Sequence, residues 1–144
     1  MKGYKNILVA VELNTKTDAE PIKHAEYMGK NWGANITLVH AVEYAVGYNA
    51  YGVGVNIEVE EILVQQSKKV MKELGERLGI PESRMAVKIG SAKYVILEEA
   101  EKMKADLIIV GSHGRHGIRA LLGSTADGVL HGAKCDVLAV RLRG

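Results

Sequence analysis

Five short apolar runs, separated by amphipathic stretches, constrain this chain most. They are Ile7 to Val11, Ile36 to Val42, Met85 to Ile89, Leu107 to Val110 and Val137 to Leu142. Runs this short and this rich in Ile, Leu and Val read as strands buried on both faces. The stretches between them carry apolar residues at helical spacing. In the first, Thr17 and Glu20 have the spacing of a capping box and Pro21 falls in the first turn. Ile22, Ala25, Met28, Gly29 and Trp32 share a face of that helix, and Gly33 ends it. The second helix runs from about Glu58 to Leu78, with Val59, Ile62, Leu63, Val70, Leu74 and Leu78 on one side. Gly79 and Pro81 stop it. Ser91 is placed to cap the third, whose inward residues are Ile96, Leu97, Ala100 and Met103. The fourth is short, from about Ser124 to His131, with Gly132 after it.

Strand and helix thus alternate four times and a strand closes the chain. That order predicts an α/β fold: a doubly wound, five-stranded parallel sheet, Rossmann-like, with strand order 3-2-1-4-5 and helices on both faces. At 144 residues the chain reads as one domain, 1–144. In such a sheet a ligand sits beyond the carboxyl ends of the strands, where the order reverses between the first and the fourth. Glu12, Ala41, Val42 and Gly111 are the residues expected there.

The fourth strand leads directly into Gly111-Ser112-His113-Gly114. Eight residues follow, and then Gly123-Ser124-Thr125 opens the fourth helix. Gly111 and Gly114 predict a sharp turn and a backbone that approaches a ligand with no side chain in the way. The helix start offers free N–H groups and the positive end of a dipole to an anion. Together they suggest a phosphate cradle. The blander reading is a tight strand-to-helix turn that needs glycine in any case.

Charge and composition narrow the function. A formal charge of +2 is too small to argue for nucleic acid or a membrane surface. No run of about 18 apolar residues is present to span a bilayer. The run Ile7 to Val11 is too short for a signal-peptide core. Cys135 is the only cysteine, which excludes an intrachain disulfide and a cysteine-built zinc site. It reads as a small hydrophobe beside the last strand. A reducing, cytoplasmic location is therefore expected.

The remaining candidates each have two readings. Arg115 and Arg119 could reach phosphate oxygens or be solvated loop charges. Ser124 and Thr125 could cap the fourth helix, bond a phosphate at its end, or do both. Glu12 could hold a ribose hydroxyl or, through water, a magnesium ion, or else bond the neighbouring loop. His113 and His116 have no clustered carboxylate or cysteine nearby and read as polar lining, so no metal site is expected. His24 and His40 read as structural or surface histidines, with His40 a hydrogen-bonded core residue. Residues 44–56, with three tyrosines and three glycines, are too long for an ordinary loop; they are a lid or interface, or a simple excursion. There is no nucleophile elbow, no Walker loop, and no Gly-x-Gly-x-x-Gly after the first strand. A receiver domain would end its third strand on aspartate, where this chain has Ile89-Gly90.

These residues resemble the universal stress protein family over the whole chain. The likeness is carried by Lys5-Asn6-Ile7-Leu8-Val9-Ala10-Val11, by Leu38-Val39-His40-Ala41-Val42 and by the stretch from Ala105 to Gly114. Leu122-Gly123-Ser124-Thr125 and the stretch from Cys135 to Arg141 complete it. The resemblance implies an adenine-nucleotide-binding, homodimeric regulator of the stress response. The implied ligand is ATP, or AMP or ADP, with magnesium as an option. Gly111, Gly114, Gly123 and Ser124 would hold phosphates and ribose, Val110 and Ala41 would line the adenine pocket through their backbone, and Thr125 would assist at the helix end. The family's binding branch has nine residues between its glycine pairs and an aspartate after the first strand. This chain has eight, and Glu12. The family's other branch binds no nucleotide and acts through protein–protein contacts, but it usually replaces the glycines, which are kept here. The implied dimer interface is the strand Val137 to Leu142. No residue is placed as a general base, so an enzyme is not expected, although slow ATP hydrolysis is compatible with the reading.

Overall fold

The computed structural model describes residues 3–43, 57–113 and 123–142. Five strands, β1 (Asn6–Ala10), β2 (Asn35–Val42), β3 (Met85–Ile89), β4 (Leu107–His113) and β5 (Asp136–Leu142), alternate with four helices. These are α1 (Thr15–Trp32), α2 (Ile57–Leu78), α3 (Ala92–Lys102) and α4 (Ser124–Gly132). The strands form one sheet in the order β3-β2-β1-β4-β5, and every pairing is parallel. This is the predicted doubly wound topology, with the reversal between β1 and β4.

The centre of the sheet is apolar on both faces, as parallel strands require. Side chains alternate along each strand. Ile7, Val9, Leu38, Leu107 and Ile109 meet Ala25 of α1 and Met71 and Leu74 of α2. Leu8, Val39, Ile108 and Val110 meet Val95, Ile96 and Ala100 of α3 and Ala126 and Val129 of α4. Ile7, Leu8 and Val9 are fully buried, and each such side chain contributes about 1.5–3 kcal/mol. Glycine sets how close α3 and α4 come. A Cβ on Gly128 would lie 2.5 Å from Lys93 Cδ, and one on Gly132 would lie 2.6 Å from Leu97 Cδ1.

Several helix details differ from the sequence expectation. α1 starts at Thr15, because the Asn14 side chain accepts the Lys16 N–H at 2.9 Å and caps it. Thr17 therefore lies inside the helix, donating to the Asn14 carbonyl at 3.3 Å, and Pro21 falls in the second turn. Gly33 ends the helix in the left-handed region, as expected. Trp32 is 42% exposed and does not enter the core; it packs edge-on against Tyr4 at 5.5 Å. On α2, Ile62 and Val70 are 56% and 43% exposed, while Met71, Leu74 and Gly75 are buried. Gly75 is why that stripe wins: it lets α2 settle on Met85 and the chain at Ile80. Ser91 sits at the N-cap of α3 without a side-chain bond; its backbone carbonyl accepts the Val95 N–H instead.

At the amino ends of the strands, Asp106 accepts the N–H groups of Lys5 and Asn6 at 2.8 and 2.9 Å, joining the starts of β1 and β4. Tyr4 Oη–H donates to Asp136 at 2.7 Å beside them. Cys135 is half-buried there, its thiol pushed up by burial and then by the Asp136 and Asp106 charges. That environment suits an unreactive thiol. Among the described residues no helix is long and apolar enough to cross a membrane.

Gly75 gives a test of α2 packing. Helix propensity alone favours Gly75→Ala by about 1 kcal/mol. The new Cβ would overlap the Met85 methyl and lie 2.9 Å from the Ile80 carbonyl oxygen. Overpacking of that kind costs about 1–3 kcal/mol, so a lower Tm is expected in a thermal melt. A rise in Tm would show that Met85 makes way freely.

Candidate functional site

β1 leaves the sheet before its neighbours do, and a cavity of about 170 Å³ opens where it departs. The cavity lies at the carboxyl ends of the central strands. Glu12 comes from the turn after β1, His40 and Ala41 from β2, Val110 and Gly111 from β4, and Thr125 from the first turn of α4. Glu12, Ala41, Val110, Gly111 and Thr125, all candidates from the sequence, are thus brought together. Gly123 and Ser124 begin α4 beside Thr125 but do not line the cavity. Gly114 and Arg115, together with His116, Arg119 and the segment 44–56, lie outside the described residues.

Two sequence expectations about the glycine loop are corrected. β4 does not end at Val110 but runs to His113, and Gly111 pairs with Val140 inside the strand. Gly111 has no positive φ, so it is not the turn. Its missing side chain makes room for Leu142, whose Cδ1 would be 2.9 Å from a Cβ there. The N-cap of α4 is Gly123, whose carbonyl accepts the Asp127 N–H at 2.9 Å, so neither Ser124 nor Thr125 caps the helix. Thr125 is left to face the cavity.

Asp18 is the residue the sequence reading missed. It is 5% exposed and lines the cavity. Its Oδ1 accepts the Glu12 N–H at 2.8 Å and its Oδ2 the Asn14 N–H at 3.0 Å. Leu13, between them, has φ 62°, a left-handed conformation unusual for leucine. One carboxylate therefore holds the bend that places Glu12 over the cavity. The available signal was an acid in the first turn of a helix that follows a buried strand.

The edge of β2 is the second feature. Val11 N–H donates to the Val39 carbonyl at 2.9 Å, the last β1–β2 ladder bond. The Val11 carbonyl would next accept the Ala41 N–H, but it takes His40 Nδ1 at 2.8 Å instead. His40 is thus hydrogen-bonded as expected, though half-buried and at the cavity rather than in the core. Backbone groups alternate sides along a strand, and Val39 faces β1, so Ala41 does too. Its N–H and C=O have no β1 partner among the described residues.

Glu12, Asp18 and Glu43 make this end acidic, and no Lys or Arg is among its described lining residues. Such walls receive hydroxyl and amine donors. The start of α4 offers the complementary end, with N–H groups that no carbonyl of the helix itself can take and a positive dipole. Among the described residues no group of three His, Cys, Asp or Glu is arranged for a metal ion.

Comparison with known proteins fits this geometry. The universal stress protein family model matches residues 3–141. Universal stress protein A homolog 2 of Coxiella burnetii is 50% identical, over 100% of this chain and 99% of that protein. The solved universal stress protein UspA from Lactobacillus plantarum has a TM-score of 0.75 at 23% identity, over 96% of this chain and 99% of that one. A universal stress protein solved in complex with cAMP has a TM-score of 0.60 at 18% identity, over 98% and 99%.

Asp18 makes the stability of the site depend on pH. Burial raises its pKa above the ordinary 3.8; the N–H groups of Glu12, Asn14 and Leu13 oppose this, and the Glu12 charge adds to it. A raised folded value means that the neutral acid suits the fold better than the carboxylate does. That contribution is complete below pH 3.8 and is lost as pH rises through the folded value. Against Asp18→Asn, which does not titrate, the wild-type advantage in Tm is expected to shrink as pH is raised from below 3.8 toward neutrality. An advantage that grew over that range would mean that the N–H groups outweigh burial.

Proposed function

The chain belongs to the universal stress protein family, and within it we propose that this protein is a cytoplasmic, homodimeric regulator of the stress response that binds an adenine nucleotide. The observation that carries the reading is the cavity at the sheet's reversal point, where Glu12, Ala41, Val110, Gly111 and Thr125 converge from four separate segments. Adenine presents a ring nitrogen that accepts and an amine that donates. The open N–H and C=O of Ala41 match that pair. Val110 supplies an apolar wall, and Glu12 accepts from ribose hydroxyls or from water around a magnesium ion.

Phosphates would extend toward the start of α4, to Gly123, Ser124 and Thr125. Gly114 and Arg115 complete the cradle in this proposal. An acidic nucleoside end and an anion-binding helix start give the site a direction. The solved family member in complex with cAMP is consistent with an adenine-bearing ligand in this fold. The role is binding, not turnover.

Residues aligned across parallel strands send their N–H and C=O groups the same way, and Val11 bonds Val39 of β2, so Ile7 and Val9 face β2 and the aligned Leu107 and Ile109 face β1. By the register, Asp136, Leu138, Val140 and Leu142 then bond β4, while Val137, Ala139 and Arg141 direct their N–H groups to the open edge of β5. An apolar, unpaired edge is a liability that a second copy removes. The dimer is therefore proposed through Asp136–Leu142.

Calorimetric titration with ATP, with and without magnesium, should show saturable binding. Gly114→Val should weaken it at least about tenfold by putting a side chain where the backbone meets phosphate. No binding at millimolar ATP would favour the other reading, a family dimer acting through protein contacts alone. For assembly, sedimentation should give twice the 15.6 kDa chain mass. Ala139→Pro removes an outward N–H while sparing the bonds to β4 and should yield monomer. An unchanged dimer would move the interface off β5.

A further inference from the structure

His40 is usually the kind of residue read as core filler, yet its hydrogen bond changes where a strand ends. The Val11 residue is 3% exposed, so its carbonyl oxygen needs a donor. Two donors can serve. One is the Ala41 N–H, which would continue the β1–β2 ladder by a further bond. The other is the His40 ring, and the ring has it, at 2.8 Å. A carbonyl only accepts, so His40 Nδ1 carries the hydrogen.

We infer that His40 is the positioning residue that stops β1 from zipping onto β2 and keeps the Ala41 edge open for a ligand. The competition is local: the oxygen has lone pairs for either donor, and the ring is the one that takes it. If the ring is absent, the buried carbonyl is either unsatisfied, at the cost of its lost hydration, or satisfied by Ala41. The second outcome costs less and closes the edge. On the far side β2 is not freed, since it pairs with β3 as far as Ile89 and the Gly90 N–H donates to the Val42 carbonyl at 3.1 Å. Ala41 is therefore held in register by β3 while its β1-facing groups stay available. Asp18 acts beside it by bending residues 12–14 away. Asp18 aims the chain, and His40 takes the acceptor that the chain leaves behind.

The ligand part of this inference rests on the adenine-nucleotide reading; the strand-opening part does not. Amide hydrogen exchange followed by NMR on the unliganded, full-length protein separates them. In wild type the Ala41 amide should exchange at least about tenfold faster than the ladder-bonded Val39 amide. In His40→Leu, Ala41 should gain about tenfold protection while Val39 is unchanged. ATP affinity should fall about tenfold in the same variant, if its adenine pairs with Ala41. Asparagine sets an amide nitrogen near the Nδ1 position and glutamine near Nε2. His40→Asn should therefore restore fast exchange at Ala41, and His40→Gln should not. That pair decides the matter even if His40→Leu does not fold. An Ala41 amide as protected as Val39 in wild type, or equal exchange in the Asn and Gln variants, would overturn the inference. Exchange as expected without any ATP binding would uphold the strand-opening role and reject the nucleotide.

Discussion

β1 is the central strand, and it is also short. It pairs with β2 from Asn6 to Ala10 and with β4 from Ile7 to Val9, while β2 continues to Val42 and β4 to His113. Two long strands flanking a short one leave a notch with backbone groups on both walls. Everything proposed for the site depends on that notch staying open. Hydrogen bonding works against it, because adjacent parallel strands gain by continuing their ladder. The structure resists with two side chains, one that pins the departing turn and one that takes the orphaned acceptor.

The charge layout follows from the same geometry. The turn after β1 and the end of β2 bring carboxylates to one side of the notch. Across it, α4 is capped by Gly123, which puts no side chain of its own over the helix start. A ligand with donors at one end and negative charge at the other is matched by this polarity, and the reverse orientation is opposed at both ends. Gly111 contributes differently from the expectation: it is flat strand that accommodates Leu142, so the wall is thin without being a turn.

The strand order and the reversal point were legible because strands buried on both faces leave uninterrupted apolar runs, and βα connections are right-handed. Cap positions were less legible. Asn14 and Thr17 are both good caps in isolation; Asn14 wins because Asp18 also fixes its N–H, a partnership between the turn and the helix that a local motif does not reveal. The inward face of α2 was misread in part: Leu74 and Leu78 pack on the core as expected, but Ile62 and Val70, as apolar as Met71, do not. The deciding residue is Gly75, which has no hydrophobicity to detect. Asp18 escaped notice for a related reason. Its partners are main-chain N–H groups, which every residue has and no sequence marks. His40 was read as hydrogen-bonded, but the acceptor it would take, and so its meaning, depended on where β1 stops.

The clasp at the opposite end of the sheet has a temporal consequence. Asp106 binds the N–H groups of Lys5 and Asn6 across about a hundred residues of chain. A ribosome adds roughly 5–20 residues per second, so β1 waits roughly 5–20 seconds for the strand that will cover its second edge. During synthesis, Ile7, Leu8 and Val9 form the most deeply buried segment of the finished protein and one of the longest exposed. Their order of appearance makes the nascent chain's first strand the place where a chaperone would find most to hold.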